Sequence, residues 1–480
     1  MDRKEEDQLR APLFEALAGH AESGAASFHV PGHKSGNGTP QGAETYYRAI
    51  LRIDLTELPG LDDLHQPEGP IREAEQLAAA AFGADRTFFL VGGSTVGNLA
   101  CIMAVCEPDD VLLVQRDVHK SVLHGLMLAG AQAVFIRPRV HPEHGLSLGL
   151  SAEDVEEALN RYPEAKGLVI TNPTYYGMCA DVGALAEQVH RRGLPLIVDE
   201  AHGAHFGFHR ELPPSALAAG ADAAVQSAHK MLAAMTMGAM LHVRGDRIDA
   251  ERLRSLLAML QSSSPSYPIM ASLDLSRREI AVGGEARIDR TLAALRRLRA
   301  SLDGGPIRAL PAGRYPEFGA EADPFKLALY DATGTLSGYA LYNELAARGC
   351  YGELADLRHA LLAFSPYSSE GEMRRLQAAV AEIGRGLSDR KQELPPAEAN
   401  IIQISNLMDP ISDPVKLVPP HRRSGSTVVA LPRDQAAGRR SADLITPYPP
   451  GVPLVYPGER LHPQTIEYLI RLRGQGARIH

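Results

Sequence analysis

One lysine in this sequence has the neighbours expected of a reactive amine. Lys230 ends the segment 223–230, which begins as an apolar strand, and the apolar segment 231–235 follows it. Burial among such neighbours disfavours an ammonium ion and lowers the pKa of a lysine, and the neutral amine can form a Schiff base with a carbonyl cofactor. A lysine beside an apolar run is by itself more often structural. A chemical role therefore needs support from further residues at matching positions.

A carboxylate stands at such a position upstream. Residues 196–198 are apolar, and Asp199 and Glu200 follow them directly. Enzymes hold pyridoxal phosphate through a lysine that reacts with its aldehyde and an acidic residue that pairs with its pyridine nitrogen. Asp199 and Lys230 together therefore indicate pyridoxal phosphate chemistry.

A phosphate-binding turn is predicted where strand 87–91 ends. The chain continues there with Gly92, Gly93, Ser94 and Thr95 and then with a helix. Free backbone N–H groups and the positive end of the helix dipole favour an anion at such a turn, and the two hydroxyls add donors. The turn matches neither the dinucleotide-binding nor the nucleoside-triphosphate motif. We interpret it as the phosphate site of a smaller cofactor, with a plain strand-turn-helix as the structural alternative.

Polar residues follow five of the predicted strands in all. Ligands of parallel sheets bind at the carboxyl ends of the strands, so these residues are expected at one site. His119 has a flat ring that can stack on a cofactor pyridine, and residues 172–177 offer polar groups to a ring hydroxyl. In chain order the groups are Ser94 with Thr95, His119, residues 172–177, Asp199 with His202, and Ser227 with His229 and Lys230.

These residues must be positioned by a sheet of buried strands. Apolar runs alternate with helical patterns, which predicts an α/β fold with a mostly parallel sheet covered on both faces. Pro70 and Gly83 predict the two ends of one helix, and Ser151 and Asp181 predict the starts of two others. The predicted strands are residues 87–91, 111–115, 133–137, 167–171, 194–199, 223–226 and 239–243.

The length of 480 residues predicts more than one domain, because a single hydrophobic core rarely grows so large. Strands and amphipathic helices resume beyond about residue 304, which indicates a smaller α+β domain after the large one. The predicted division is residues 1–65 as an N-terminal arm with polar loops, 66–304 as the large cofactor-binding domain, 305–390 as the small domain and 391–480 as a C-terminal segment.

Composition excludes several classes of protein. Hydrophobic residues make up 45% and charged residues 22% of the chain, as in soluble globular proteins. The net charge of −9 argues against nucleic-acid binding. No apolar run approaches the roughly 20 residues that span a bilayer, and the charged N-terminus carries no signal peptide. Four cysteines without CxxC spacing predict reduced thiols, so we expect a cytoplasmic protein.

Two groups of histidines are candidate metal ligands. His29 and His33 lie in a Pro- and Gly-rich loop without a cysteine or carboxylate beside them at ligand spacing. His202, His205 and His209 suit a zinc hydrolase in residue type, but two glycines between them weaken the helix that would align them. We therefore predict no metal.

Five short motifs together resemble one known family. They are Ser-Ala-His-Lys at 227–230, Asp-Glu-Ala-His-Gly at 199–203, His-Val-Pro-Gly-His-Lys at 29–34, Leu-Asp-Asp-Leu-His at 61–65 and Pro-Pro-Gly at 449–451. This set is similar to the Orn/Lys/Arg decarboxylases of pyridoxal phosphate fold type I. The resemblance spans nearly the whole chain and is strongest to the short bacterial form, which lacks the N-terminal wing domain of the long enzymes.

The resemblance implies a fold, an activity and a set of site residues. It implies an aminotransferase-like large domain, α-decarboxylation of a basic amino acid with pyridoxal 5′-phosphate, and a homodimer with its active site at the subunit interface. Among the site residues, it implies that Lys230 forms the covalent link to the cofactor and that Asp199, with His202 beside it, pairs with the pyridine nitrogen. It implies that His119 stacks on the ring and that His229 lies near the phosphate and the substrate. The phosphate would be held by the loop at Gly93 together with Ser94, Thr95 and Ser227.

One alternative to decarboxylation remains for the type of reaction. A fold type I aminotransferase or lyase shares the lysine, the aspartate and the phosphate turn. Aminotransferases commonly clamp the substrate α-carboxylate with an arginine, and Arg358 of the smaller domain is one candidate for such a clamp. Either Lys230 or His229 could return a proton to Cα.

The substrate is predicted to be arginine, on the resemblance to the short bacterial form. Lysine and ornithine are the alternatives, since residue spacing does not distinguish the three. A guanidinium pairs with a carboxylate through two parallel hydrogen bonds, which a lysine ammonium does not reproduce. Candidate carboxylates are Asp62, Asp63 and Glu353.

Overall fold

Buried strands alternate with helices along most of the chain, and the fold is α/β with a mostly parallel central sheet, as predicted. The computed structural model describes residues 3–387, 409–417, 432, 435–448, 453–474 and 477–479. These fall into two units. The first unit combines Met1–Val105 with Pro195–Arg287, and the second combines Cys106–Leu194 with Ile288–His480.

The helices vary from single turns to ten turns. In chain order they are α1 (Arg3–Gln8), α2 (Pro12–Glu22), α3 (Glu44–Leu51), α4 (Pro70–Phe82), α5 (Gly93–Val105), α6 (Lys120–Ala129), α7 (Ala152–Arg161), α8 (Val182–His190), α9 (Ala228–Met231), α10 (Ala250–Leu260), α11 (Tyr267–Leu302), α12 (Gly338–Ala347), α13 (Glu370–Leu387) and α14 (Pro463–Gly474).

The strands are short. In chain order they are β1 (Arg86–Leu90), β2 (Val111–Gln115), β3 (Gln132–Ile136), β4 (Arg139–Val140), β5 (Ser147–Gly149), β6 (Leu168–Thr171), β7 (Met178–Cys179), β8 (Leu196–Asp199), β9 (Ala223–Gln226), β10 (Ala239–Val243), β11 (Ile307–Ala309), β12 (Gly313–Tyr315), β13 (Ala320–Ala322), β14 (Lys326–Asp331), β15 (Leu354–Ala355), β16 (His359–Ala363), β17 (Val415–Lys416), β18 (Pro447–Tyr448) and β19 (Arg478–Ile479).

In the first unit the strands lie in the order β1-β10-β9-β8. β8 and β9 are parallel, with Ile197 opposite Ala223, while β10 runs against both of its neighbours. Every residue of β8, β9 and β10 is buried. Strands covered on both faces read as continuous apolar runs, which is why the sequence located them correctly.

In the second unit four strands pair in the order β6-β2-β3-β17. β2 is parallel to both β6 and β3, and β17 closes the edge in the antiparallel direction. A separate antiparallel sheet of order β11-β14-β16-β15 packs against α12, and α13 lies beside α12 and β11. This part has the smaller α+β character that the sequence predicted.

The predicted helix ends are confirmed. α4 begins at Pro70 and ends at Gly83, whose φ of +72° is the left-handed conformation that glycine adopts without strain. The side chain of Ser151 accepts a hydrogen bond from the backbone of α7, and that of Asp181 from α8, as helix caps do. Side-chain oxygens thus satisfy backbone donors that have no partner within the helix.

A buried ion pair fastens the N-terminal segment within the first unit. Asp274 and Arg277 are one turn apart in α11, fully buried, and joined by a 2.6 Å contact. Arg277 also donates to the backbone oxygens of Gln8 and Arg10, and Asp274 accepts from the backbone of Leu13. A buried charge needs such partners, so this pair fixes the arm while satisfying both of its charges.

Several further expectations can be compared with the structure. All four cysteines are free, and Cys101, Cys106 and Cys179 are buried, as predicted. Within the described ranges, none of the helices combines enough length and apolar character to cross a bilayer. The Pro-Pro-Gly motif at 449–451 and parts of the predicted C-terminal segment 391–480 lie outside the described residues. The four-part division of the chain stays a prediction.

Candidate active site

Lys230 lies in the first unit on the short helix α9, which follows the buried strand β9. Its neighbours Met231 and Leu232 are buried, but Lys230 itself is exposed. The expectation that apolar neighbours would bury this lysine is therefore wrong, because the helical turn directs Lys230 away from them. The amine is instead accessible to a small molecule from solvent.

The terminal amine of Lys230 contacts a buried histidine. Its Nζ lies 3.2 Å from Nε2 of His202, which is 5% exposed. His202 belongs to the irregular segment after β8, where glycines produce turns and no helix, as the sequence predicted for residues 201–209. The loop after β8 and the helix after β9 thus bring together two residues that are 28 positions apart.

Asp199 ends β8 and has a fixed orientation. It is 3% exposed, and both of its oxygens accept hydrogen bonds. Nδ2 of Asn98 donates to Oδ2 at 2.8 Å, and the backbone N–H of Ala201 donates to Oδ1 at 3.2 Å. These two donors satisfy both oxygens of a buried carboxyl group and fix its plane. Asn98 was not assigned a role from the sequence, because it lies 101 residues before Asp199 and only packing brings the two together.

The predicted phosphate turn has the expected shape. α5 begins at Gly93, which has a φ of +75° that strains any residue with a side chain. Oγ of Ser227 donates to Oγ of Ser94 at 2.8 Å, so hydroxyls from two strand ends converge at the start of this helix. Thr95 is exposed in the same first turn. Hydroxyl groups and a helix N-terminus are the donor set that suits a phosphate.

The backbone N–H of Gly93 is not part of that donor set. It donates to the carbonyl oxygen of Met237 at 2.9 Å. Gly93 therefore shapes the turn through its φ angle. Taken together, an accessible lysine, an oriented carboxylate and a hydroxyl-lined helix start fit a cofactor that carries an aldehyde, a ring nitrogen and a phosphate.

His229 precedes Lys230 and is half-buried. Its Nδ1 lies 3.0 Å from the carbonyl oxygen of Gly238, so this nitrogen carries the proton and Nε2 is left to exchange one. Burial lowers the pKa of His229, and the positive charge of Lys230 lowers it further. The ring is therefore neutral at neutral pH.

His119 and the segment 172–177 lie in the second unit. His119 follows β2 and caps α6, since its Nδ1 accepts from the backbone of Ser121 at 3.2 Å. Asn172 follows β6, and its Oδ1 accepts from the backbone of Ala180 at 2.8 Å. Both stand at the carboxyl ends of their strands, as predicted. The stacking role of His119 stays a prediction.

Asp62 has a structural task that the sequence did not reveal. Its carboxylate accepts hydrogen bonds from backbone N–H groups at the start of α4, and the shortest, from Gly69, is 2.7 Å. The others come from Glu68, Ile71 and Arg72. The expectation that Asp62 is available to a guanidinium is therefore wrong, because its oxygens are already used. Asp63 and Glu353 remain candidates.

Glu200, the residue after Asp199, has hydrogen-bond partners of its own. It is fully buried, and it accepts from the backbone of Ala216 at 2.7 Å and from Nε2 of Gln226 at 2.8 Å. Burial raises its pKa to about 8. A side chain at Gly203 would meet the Cγ of Glu200 at 2.6 Å, so the loop that carries His202 folds tightly over this residue.

The stability of the protein is expected to fall as the pH rises towards 8. Burial also raises the pKa of Glu75 to about 8, and this residue accepts from the backbone of Phe89 at 2.9 Å. Both acids are protonated in the folded state and ionise near pH 4.3 when unfolded. Their stabilisation is therefore complete below that pH and is lost as the pH rises through the folded pKa.

Urea unfolding from pH 6 to 9 measures this effect. Glu200→Gln and Glu75→Gln should each flatten the decline of the unfolding free energy relative to the parent, since an amide does not titrate. Equal slopes in parent and variants would show that these acids are ionised in the folded protein.

The chain is similar to known proteins over nearly its whole length. Residues 11–308 match the family model described as "Orn/Lys/Arg decarboxylase, major domain", and residues 403–478 match "Orn/Lys/Arg decarboxylase, C-terminal domain". The uncharacterized protein YaaO of Bacillus subtilis is 40% identical over 97% of this chain and 94% of its own length. An arginine decarboxylase of Bacillus anthracis is 36% identical over 96% of this chain and 93% of its own length.

The fold has a counterpart among solved structures. The lysine decarboxylase LdcF of Francisella novicida superimposes with a TM-score of 0.83 over 99% of this chain and 79% of its own, at 21% identity. At that identity the likeness establishes the fold, and the shorter coverage of LdcF shows that this chain spans less than the whole of that protein.

Proposed function

This chain belongs to the Orn/Lys/Arg decarboxylase family, a family of pyridoxal-phosphate-dependent enzymes, and from this premise we propose that it converts arginine to agmatine and CO2. The observation that carries the proposal is the contact between Lys230 and His202 beside an oriented, buried Asp199. The Bacillus anthracis relative, similar over nearly the full length, is named an arginine decarboxylase.

Pyridoxal 5′-phosphate, when bound, supplies an electron sink for the bond that breaks at Cα. Lys230 would hold it covalently, and Asp199 would accept a hydrogen bond from its ring nitrogen. His202 would flank Asp199 and Lys230, and His119 would lie on the ring. Ser94, Thr95 and Ser227, in the turn shaped by Gly93, would hold the phosphate.

Two residues can manage the proton that replaces the carboxylate. Lys230 could deliver a proton from its terminal amine, which lies 3.2 Å from Nε2 of His202. His229 is held through Nδ1 by the carbonyl of Gly238, which leaves Nε2 to exchange a proton. Its lowered pKa keeps that nitrogen available at neutral pH.

Decarboxylation requires that no arginine clamp the substrate α-carboxylate in the plane of the ring. Arg191 is bound to Glu187, and Arg192 to Asn160. Arg358 contacts Glu143 and lies over the ring of Tyr330. These partners support a carboxylate that is left poorly paired, so that the bond to it is the one that breaks.

The expected result of a substrate assay is a higher kcat/KM for arginine than for lysine or ornithine. A guanidinium forms two parallel hydrogen bonds with a carboxylate. The candidates for this are Glu353 and Asp63, although Oδ1 of Asp63 already accepts from the backbone of His65 at 2.8 Å. CO2 and amine should form in equal amounts without any 2-keto acid. The measurement is CO2 release and amine formation for the three amino acids, with and without a keto acid.

Two outcomes of that assay would contradict the proposal at different levels. A higher kcat/KM for lysine or ornithine than for arginine would contradict the proposed substrate but not the proposed decarboxylation. Keto-acid-dependent turnover without CO2 release would instead indicate an aminotransferase.

We also propose that two copies of the chain form a homodimer and that a partner completes each site. The first unit exposes apolar side chains in its N-terminal arm, where α3 has no buried residue. Phe28 is 94% exposed and Tyr46 is 82% exposed, with Val30 and Tyr47 also exposed. A cluster of large exposed apolar side chains supports a protein interface at this arm.

Tyr46→Glu is expected to raise the dissociation constant of the dimer by at least about tenfold, because it places a charge where an aromatic side chain would be buried. Activity at low protein concentration should fall with it. Sedimentation velocity across a dilution series measures the fractions of monomer and dimer. Met259→Glu, at a 72% exposed position on α10, is the matched control. A monomeric parent, or a dimer that tolerates Tyr46→Glu as well as the control, would refute this interface.

A cytoplasmic location is proposed on the same basis as from the sequence. Four free cysteines, three of them buried, suit a reducing compartment. Detection of the native protein in the cytoplasmic fraction of its source cells would test this.

A further inference from the structure

Helix α5 reaches the cofactor-binding residues at two points. Its first turn carries Gly93 and Ser94 of the phosphate turn. Its second turn carries Asn98, which is 2% exposed and donates from Nδ2 to Oδ2 of Asp199 at 2.8 Å. One helix therefore connects the predicted phosphate turn with Asp199.

Gly97 allows this close approach. A Cβ at that position would lie 2.7 Å from Cγ1 of Val225 and 2.9 Å from Cδ1 of Leu90. Real side chains do not pack so closely, so any residue larger than glycine would push α5 away from β1 and β9. The distance between Asn98 and Asp199 thus depends on the absence of a side chain at the preceding residue.

A second titratable group, the thiol of Cys101, lies close to Asp199. Cys101 is fully buried on the next turn of α5, and burial together with the negative charge of Asp199 raises the pKa of its thiol to about 12. The thiol is therefore uncharged. Besides Asn98, the backbone N–H of Ala201 donates to Asp199, on the opposite oxygen.

We propose that Asn98 is a positioning residue for the decarboxylation, through which the helix that binds the cofactor phosphate also orients Asp199 towards the ring nitrogen. The inference rests on the proposed role of Asp199. Nδ2 of Asn98 donates to Oδ2 and the backbone N–H of Ala201 donates to Oδ1, so the two donors together orient the plane of the carboxylate. Because the same helix starts at the phosphate turn, the spacing between phosphate and carboxylate is set by a rigid element.

The hydrogen bond from Asn98 to Asp199 should also affect the pKa of the cofactor's ring nitrogen. A hydrogen bond to the charged form favours an ionised carboxylate, and an ionised Asp199 favours a protonated ring nitrogen. Asn98→Asp keeps the shape of the side chain but replaces the donor with a second carboxylate beside the first. Two carboxylates at such a distance cannot both ionise, so they share a proton and Asp199 loses charge.

The test uses the holoenzyme and the variants Asn98→Asp and Asn98→Ala, with Asn160→Ala on α7 as the control. The readout without substrate is the pH titration of the visible absorption of the bound cofactor. The expected result is a shift of its midpoint by about one pH unit in Asn98→Asp. With substrate, kcat should fall by about 10- to 100-fold in both variants while KM stays within about threefold. Asn160→Ala should match the parent.

The outcomes separate this inference from the proposed function. Suppose that Asp199→Asn changes both kcat and the titration midpoint of the cofactor absorption, but neither Asn98 variant changes them. The proposed role of Asn98 is then refuted, while the proposed function stands. If Asn98→Asp lowers only the thermal unfolding midpoint, Asn98 is structural and the inference is again refuted. If Asp199→Asn itself changes neither quantity, the proposed role of Asp199 fails first. Circular dichroism shows which variants fold, and Asn98→Asp, equal in size to the parent residue, serves if Asn98→Ala does not.

Discussion

Replacing Lys230 by alanine is expected to remove the covalent link between protein and cofactor and to lower kcat by at least about a thousandfold. Lys230 is accessible, and its amine lies 3.2 Å from His202. Without the amine, the cofactor can still bind through its phosphate and ring, so the variant should retain some bound cofactor. Turnover should nevertheless be lost, because capture of the cofactor, product release and one route of proton delivery all use this side chain.

Borohydride reduction followed by peptide mapping measures the link directly. The parent should carry reduced cofactor on the peptide that contains Lys230. Lys166→Ala is the matched control, since this half-exposed lysine pairs with Asp110 in the second unit and should leave labelling and kcat unchanged. Labelling of another lysine in the parent, or normal turnover by Lys230→Ala, would overturn the assignment.

Asp199→Asn is expected to retain the cofactor and lose about 100- to 1000-fold in kcat. The carboxylate stabilises charge on the ring only as the bond at Cα breaks, so it matters more in the transition state than in binding. An amide has nearly the same size and keeps the contact with Ala201, so the site should not collapse. The measurement is kcat together with the dissociation constant of the cofactor.

Glu200→Gln distinguishes the two neighbouring acids. Glu200 is fully buried and held by Ala216 and Gln226, so its amide variant should change the pH dependence of stability and leave kcat within a few-fold of the parent. If Asp199→Asn is nearly as active as the parent while Glu200→Gln is not, the electrostatic role belongs to Glu200.

Much of the site could be predicted because its residues follow buried strands. The apolar runs before Asp199 and before Lys230 are strands in the structure, and polar residues that follow parallel strands stand at the same edge of a sheet. Gly93 was found for a similar reason, since glycine and hydroxyl residues after a strand mark a turn that starts a helix. Local patterns of this kind survive folding because burial of the strand enforces them.

Contacts between distant residues could not be predicted in the same way. Asn98 reaches Asp199 only because Gly97 lets α5 pack directly on the sheet, and no spacing in the sequence expresses that distance. Asp62 looked available to a substrate, but the fold brings its carboxylate to the start of α4. Lys230 looked buried from its neighbours, yet the turn of α9 exposes it.

The sequence by itself thus determined the fold class, the family and the residue types of the site, because these depend on local hydrophobic periodicity and on motifs that are contiguous in the chain. The tertiary structure decided the partners of two adjacent buried acids. Asn98 and the backbone of Ala201 donate to Asp199, whereas Gln226 and the backbone of Ala216 donate to Glu200. The physical reason is that hydrogen-bond donors to a buried carboxylate come from wherever packing brings them, and packing depends on the shapes of distant side chains.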